Sequence, residues 1–370
     1  MIAISISAII IAYVLLILVF WLGWEKSQPS VETNDNLLSV SIIIPVRNEA
    51  KNIGNLLADI GKQTYPKHLL EVIVVDDHST DATNDEVSAF IKKSSNNLRL
   101  ISMSDEQGKK SAIKKAVGVA ANEIILTTDG DCRANPAWVA TMAACFTRPK
   151  IQLVSGPVRM NPQTSMWQRI QAIEFSSLIS AGAATISLGW PTMANGANLA
   201  FRKTVFVKYN DASNNSTSSG DDVFLLHNIS RDFTKAIVFC RERRAIIDTE
   251  TSNAIGTFYS QRQRWAGKWQ FYHDIPTILL ALFVFLVNLT IVSIPILVIL
   301  KMLSIVLAAN LLVVKFVFEF LFLREVQKFF KTRFLLHEFI ILAFIYPVYV
   351  TIMALSGLIG KYKWKDRTTR

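Results

Sequence analysis

The sequence predicts an α/β domain with a mainly parallel sheet covered by helices on both faces, plus transmembrane helices at both ends. Three observations predict it. Short apolar runs that end in acidic residues alternate with helix-length stretches from Val40 to Asp131. Those runs are apolar throughout rather than alternating, as strands covered on both faces are. Uninterrupted apolar stretches long enough to cross a bilayer stand near either end. The 370 residues are 51% hydrophobic with a mean hydropathy of +0.32, and the excess is concentrated in those end stretches.

Met1 to Trp24 has no charged side chain and reads as a retained anchor. A secretory signal would carry a basic first region and a small-residue cleavage site, and neither is present. Trp21 and Trp24 suit the membrane interface. Residues 25–39 are a polar linker containing Pro29, and a domain follows over 40–258. Val40 to Pro45 is the first core strand, and Arg47-Asn48-Glu49 leads into a helix over Ala50 to Gly61. Glu71 to Val75 is a second strand, ending in Asp76-Asp77-His78-Ser79-Thr80-Asp81. A helix over Thr83 to Lys93, a strand over Leu98 to Ser102 and a helix from Gly108 to Ala121 precede the strand that runs from Ile124 and ends at Asp129.

Beyond this the pattern predicts a helix over Asn135 to Phe146, with Pro136 in its first turn. Then come a strand over Ile151 to Met160 and a long small-residue-rich helix over Ser165 to Ile186 containing Glu174. Asn195 to Phe201 is a turn entering a strand, and Asn210 to Gly220 a mobile polar loop. Asp221-Asp222 opens a helix, where acids suit the helix dipole. An interfacial helix occupies 259–274, about three apolar segments occupy 275–358, and a basic tail follows over 359–370. Arg262, Arg264 and Lys268 before the second span put the soluble domain on the cytoplasmic side of a plasma (inner) membrane. The loop with Arg324, Lys328, Lys331 and Arg333 and the C-terminal tail are both basic, and one full span between them cannot keep both inside. Either the rule is broken there, or one of the last segments is interfacial or re-entrant. Lys315 and Glu319, four residues apart in the third segment, are spaced to pair.

The formal charge of +10 comes without a nucleic-acid motif, so membrane flanks and an anionic ligand account for it better than nucleic acid. The three cysteines, Cys132, Cys145 and Cys240, lack metal-ligand spacing and read as free thiols. His78, His227 and His273 show no metal or triad spacing.

The chemistry centres on Thr128-Asp129-Gly130-Asp131. Ligands of open α/β sheets bind beyond the carboxyl ends of the strands. Two hard oxygen donors there suit Mg²⁺ or Mn²⁺ carrying a substrate phosphate. The ordered set Ile-Pro-Val-Arg-Asn-Glu, Val-Val-Asp-Asp-His-Ser-Thr-Asp, Gly-Lys-Lys-Ser-Ala, Thr-Asp-Gly-Asp, Gly-Asp-Asp and Gln-Arg-Gln-Arg-Trp, from Ser39 to Trp269, resembles the family 2 inverting glycosyltransferases. It is most similar to their membrane-bound branch, the cellulose, chitin, hyaluronan and poly-N-acetylglucosamine synthases.

That resemblance implies a GT-A fold and transfer of a sugar from a nucleotide-sugar donor, expected to be UDP-linked. The acceptor would be lipid-linked or a glycan. Asp76 and Asp77 then contact the donor base, Glu49 serves the same nucleoside pocket, and Lys109 at its Gly-led helix start faces base or phosphate. Asp129 and Asp131 hold ribose and the divalent cation. Asp222 is the base that takes the acceptor proton, with Asp221 its neighbour. Arg264 clamps the pyrophosphate, while Gln261 and Trp265, on the same helix face, hold the acceptor together with Asn198. Asx turns and helix capping remain the plain alternatives for the acidic pairs. Two other functions stay open: a processive polysaccharide synthase, and a noncatalytic nucleotide-sugar-binding subunit of a membrane complex. Ala266-Gly267-Lys268-Trp269 departs from the Gly-rich continuation of the polymer synthases.

Overall fold

The computed structural model describes residues 1–27, 37–93, 97–104, 106–161, 165–210, 221–267, 271–359, 362–364 and 367–369. The chain opens with α1 (Ile2–Lys26), β1 (Val40–Val46), α2 (Ile53–Gly61), β2 (Leu70–Asp76), α3 (Thr83–Lys93), β3 (Asn97–Ser102), α4 (Lys109–Val119) and β4 (Ile124–Thr127). Next come β5 (Arg133–Ala134), α5 (Trp138–Ala144), β6 (Leu153–Ser155), β7 (Val158–Asn161), α6 (Met166–Leu188), β8 (Leu199–Arg202), α7 (Lys203–Asn210), α8 (Asp221–Asp232), β9 (Ile237–Phe239) and β10 (Ile247–Glu250). Then α9 (Ile255–Ala266), α10 (Ile275–Ile299), α11 (Ile305–Phe330) and α12 (Leu336–Ile359) lead to a hairpin of β11 (Tyr362–Trp364) and β12 (Arg367–Thr369). Of the expected loop over Asn210 to Gly220, Asn210 ends α7 and the rest lies outside the described residues.

β1 sits in the middle of the parallel part of the sheet because it is apolar on both faces. Ile42, Ile43 and Ile44 are all inaccessible to solvent. Each such side chain contributes roughly 1.5–3 kcal/mol by burial. The main sheet has seven strands in the order β3-β2-β1-β4-β8-β6-β9. β1, β2, β3 and β4 run parallel, while β8 is antiparallel to both β4 and β6. A second sheet has the order β5-β10-β7.

The register positions the site. Val46 pairs with Asp76, and Ile43 with Thr127, so the segments after β1, β2 and β4 leave the sheet along one edge. Because β8 is antiparallel, its first residue Leu199 lies opposite Thr127. The turn Gly196–Asn198 that feeds β8 therefore stands at the same edge.

The expected strand over 151–160 is two strands in different sheets. Gly156 and Pro157 separate them; a Cβ on Gly156 would overlap the Asn198 amide, and proline has no N–H to pair. The expected helix over 135–146 is shorter, α5 followed by a turn of 3₁₀ helix. The long helix α6 starts with a capping box of Ser165 and Gln168 and ends at Gly189 with φ 87°.

α1, α10, α11 and α12 are long and apolar enough to cross a membrane. α6 packs against the domain end of α1, where the Gly23 backbone lies on Ala184. Lys315 pairs with Glu319 at 2.7 Å, and Glu319 also accepts from the Tyr13 hydroxyl of α1 at 2.6 Å. α11 ends on the α/β domain. Arg159 donates to the Phe330 carbonyl, and Arg243 to those of Phe329 and Lys328. α12 touches the domain near both ends: Glu338 pairs with Arg169 of α6, and the Gln263 amide of α9 reaches the Ser356 carbonyl at 3.5 Å.

A side chain at position 23 has no room, since its Cβ would stand 2.7 Å from the Ala184 oxygen. Gly23→Val is expected to cost about 1–3 kcal/mol and lower the Tm in detergent by several degrees. Gly54→Ala, where a Cβ meets nothing closer than 3.9 Å, is expected to hold or raise it. Thermal unfolding of the purified variants checks both.

Candidate active site

Asp77 is 2% exposed, and its role is to place the next element. Its Oδ2 accepts from the Gly108 backbone N–H at 3.0 Å, and its Oδ1 lies 3.1 Å from Nδ1 of His78. Gly108 has φ +99°, a conformation that favours glycine. This fixes the start of α4 so that Lys109 reaches across to the carboxylate of Asp129, with which it forms an ion pair. Asp76 is spent locally, accepting from the Ser79 N–H at 3.2 Å and the Asn84 amide at 3.1 Å. Glu49 lies against Gly130, whose missing side chain allows the approach: a Cβ there would be 3.0 Å from Cγ of Glu49. Asp131 is half-buried and lines a hollow of about 160 Å³ with Arg133, Asn161 and Asp248.

Asp222, at the second position of α8, lies at the Gly196 turn. Its Oδ1 accepts from the Val223 N–H at 2.9 Å and its Oδ2 from the Gly196 N–H at 3.0 Å. A Cβ on Gly196 would stand 3.5 Å from Oδ2 of Asp222 and 3.6 Å from Nζ of Lys109, so this glycine is where the two meet. Burial acts to lower the Lys109 pKa, but Asp129 and then Asp222 outweigh it and the net shift is upward, against opposition from Arg264. Lys109, Asp129, Asp222 and Arg264 thus form one electrostatic cluster. Burial and the Asp222 charge push the Tyr272 phenol up, while burial pulls His227 down. The side chain of Asp221 lies outside the described residues.

α9 carries Gln261, Arg264 and Trp265, but the residue that anchors the helix is Arg262. It is 2% exposed and pairs with the buried Glu174 of α6. Its guanidinium also lies 4.1 Å from the ring centroid of Trp265 and 4.8 Å from that of Phe258, and it donates to Oε1 of Gln261 at 3.0 Å. Burial pushes the Glu174 carboxyl up, and Arg262 offsets this only in part. Trp265 is partly covered by Arg262 and by Phe175, 5.8 Å away. Asn198, expected at the acceptor, is inaccessible. Its amide donates to the carbonyls of Pro157 and Ala245 and accepts from the Trp138 indole, so it fastens three segments behind the cleft.

Residues 41–209 match the family described as Glycosyl transferase family 2. The chain carries a family 2 glycosyltransferase domain. The chain is 34% identical over 119 residues to glycosyltransferase AglE of Haloferax volcanii, covering 32% of this chain and 39% of that one. It is 29% identical over 133 residues to dodecaprenyl-phosphate galacturonate synthase of Rhizobium johnstonii, covering 35% and 39%. It is 25% identical over 231 residues to poly-beta-1,6-N-acetyl-D-glucosamine synthase of Staphylococcus epidermidis, covering 61% and 53%. The chain thus spans about two fifths to one half of the length of these curated relatives. A solved mannosyltransferase from Pyrobaculum calidifontis, in complex with GDP-Man and Mn2+, shares the fold across 96% of both chains, with a TM-score of 0.58 and 19% identity.

The acidic groups of this glycosyltransferase domain fit a divalent cation that arrives with its substrate. Among the described residues no three acidic, His or Cys groups form a closed cage. Mg²⁺ and similar ions are commonly held by one or two carboxylates plus substrate phosphates. The chain's own ammonium already rests on Asp129, which marks the position as one that takes positive charge.

Nothing local in the sequence pairs Arg262 with Glu174, which lie 88 positions apart. The available signal was one acid inside an apolar helix and an arginine between two motif residues. Breaking a buried pair from one side leaves an uncompensated charge. Arg262→Met or Glu174→Leu alone is expected to cost about 3–5 kcal/mol, and the double variant less than the sum. A double-mutant cycle on stability in detergent checks this coupling.

Proposed function

We propose that this protein is a membrane-bound inverting glycosyltransferase. It would move a sugar from a nucleoside-diphosphate sugar to a lipid-linked or glycan acceptor at the membrane surface. The observation that carries this reading is the meeting of Lys109, Asp129 and Asp222 at the Gly196 turn, with Lys109 also feeling the charge of Arg264. The names of the relatives, one a dodecaprenyl-phosphate galacturonate synthase and one a polysaccharide synthase, support lipid-linked and glycan acceptors. UDP is the expected donor nucleotide, and the GDP-mannose of the solved neighbour is the alternative to test beside it.

Each residue has a defined task in this reading. Lys109 and Arg264 bind the diphosphate, and both remain cationic at neutral pH. Asp129 and Asp131 would hold the divalent cation, which supplies Lewis-acid neutralisation of the leaving diphosphate. Asp222 is held in place by two backbone N–H groups, one on each oxygen. Each carboxylate oxygen retains capacity to accept a further hydrogen bond. Asp222 would accept the proton of the acceptor hydroxyl as that oxygen attacks the anomeric carbon from the face opposite the leaving group, which inverts it. Glu49 and Asp77 shape the nucleoside side, and Gln261 and Trp265 the acceptor side.

The basic flanks favour a cytoplasmic catalytic domain in a cell's inner (plasma) membrane. α12 meets α6 near one end and α9 near the other. A helix laid across the domain in this way returns the chain to the side it left. It would lie at the interface, which reconciles two basic segments on one side of the membrane. Processive synthesis is the second reading, favoured by the 231-residue match to a polymer synthase, and product length separates it from single addition.

Asp222→Asn is expected to lower transfer by about 10²–10⁴-fold while nucleotide-sugar binding stays close to wild type. Radiolabelled transfer in purified membranes, alongside thermal shift with UDP- and GDP-sugars and Mn²⁺, checks both halves. Wild-type turnover in this variant would remove Asp222 from the base role.

A further inference from the structure

A larger cavity, of about 570 Å³, lies between the small sheet and the domain-side end of α11; Lys109 and Asp222 are not among its lining residues, and it shares Arg133, Asn161 and Asp248 with the Asp131 hollow. Five of its lining side chains are cationic: Arg133, Arg159, Arg243, Arg244 and Lys331. Its two carboxylates are already committed. Asp59 is bidentate with Arg133, at 2.6 and 2.9 Å, and Asp248 with Arg159, at 2.5 and 2.9 Å. Arg243 and the remaining nitrogen of Arg159 cap the last carbonyls of α11. Arg244 and Lys331 are exposed, and neither side chain has a protein partner among the described residues. The cavity therefore holds more positive charge than the protein neutralises.

We propose that this cavity binds the phosphate of an anionic lipid headgroup. The ligand chemistry is a phosphodiester or phosphomonoester anion, held by Arg244 and Lys331 at the open side and by the capped arginines behind them. Position favours a lipid over free phosphate. α11 has 26 residues and ends at the cavity. At about 1.5 Å per residue it is about 39 Å long, close to the roughly 40–45 Å of a bilayer with its headgroups. Its terminal residues Phe329, Phe330 and Lys331 line the cavity, so the cavity opens at headgroup depth. A guanidinium is suited to phosphate, and clustered cations beside a span are the usual receivers of anionic lipids.

The full chain in neutral detergent is titrated with short-chain phosphatidylglycerol, phosphatidylcholine or inorganic phosphate. Thermal stability and native mass spectrometry are the readouts. Phosphatidylglycerol is expected to raise the Tm and remain bound, while the other two do neither. Arg244→Ala with Lys331→Ala is expected to weaken phosphatidylglycerol binding on the order of thirtyfold, from the loss of two cations near the anionic group. The same charge loss on α3, Lys92→Ala with Lys93→Ala, is expected to change nothing. Both positions of the test pair are exposed, so their loss leaves the fold intact. Equal effects of the two lipids, unchanged binding by the double variant, or full replacement by inorganic phosphate would each overturn the proposal.

Discussion

The ion pair between Glu174 and Arg262 is the constraint on which the rest of the site depends. Two charges are removed from water, and their attraction alone need not repay that cost. The surroundings add what is missing. The aromatic rings of Trp265 and Phe258 lie against the guanidinium, and Gln261 accepts one of its N–H groups. The pair therefore does more to specify one arrangement than to add stability. It fixes the rotation of α9 about its axis, and with it the directions of Gln261, Arg264 and Trp265. Since α6 is packed on Gly23 of α1 and bonded to Gln327 of α11 through Ser176, the cleft takes its geometry from the membrane helices.

The sheet supplies the opposite wall by a different physics. Apolar strands in parallel register deliver their terminal residues to one edge without any side chain having to specify it. Asp77 then converts that general feature into a particular one. Its buried carboxylate holds the Gly108 N–H, and the positive φ of Gly108 turns α4 so that Lys109 meets Asp129. The residue expected to read the donor base thus also sets the position of Lys109.

What could be read from the sequence follows from the range of each interaction. The strands β1, β2 and β4, the helix α3 and the apolar spans are set by local composition, and the structure has them close to where the pattern put them. The acidic residues near the strand ends could be read for the same reason. Asn198 could not, because its three partners, Trp138, Pro157 and Ala245, are separated from it by at least 41 positions. The pairing of Arg262 with Glu174 across 88 positions was equally hidden. Asp76 sits beside Asp77 in the chain yet turns to Ser79 and Asn84, since successive residues at a strand end point to opposite faces. The division at Gly156-Pro157 was visible as a dipeptide, but its meaning lay in the Asn198 amide that fills the space beside Gly156.

Charge is managed by depth throughout the molecule. Within the apolar helices Lys315 is neutralised by Glu319, which also takes the Tyr13 hydroxyl, and this ties α11 to α1 where an unpaired charge would be prohibitive. At the base of α6 and α9 the cation is paired one to one. At the Gly196 turn Lys109 stands between Asp129 and Asp222, with the charge of Arg264 acting against them. The cavity at the end of α11 carries cations in excess of its carboxylates. Such an excess is tolerable where water or a mobile anion can answer it, and it is costly in the interior. Its placement at the seam between domain and span, with the interior positions neutralised, marks that seam as the surface the protein turns toward anionic headgroups.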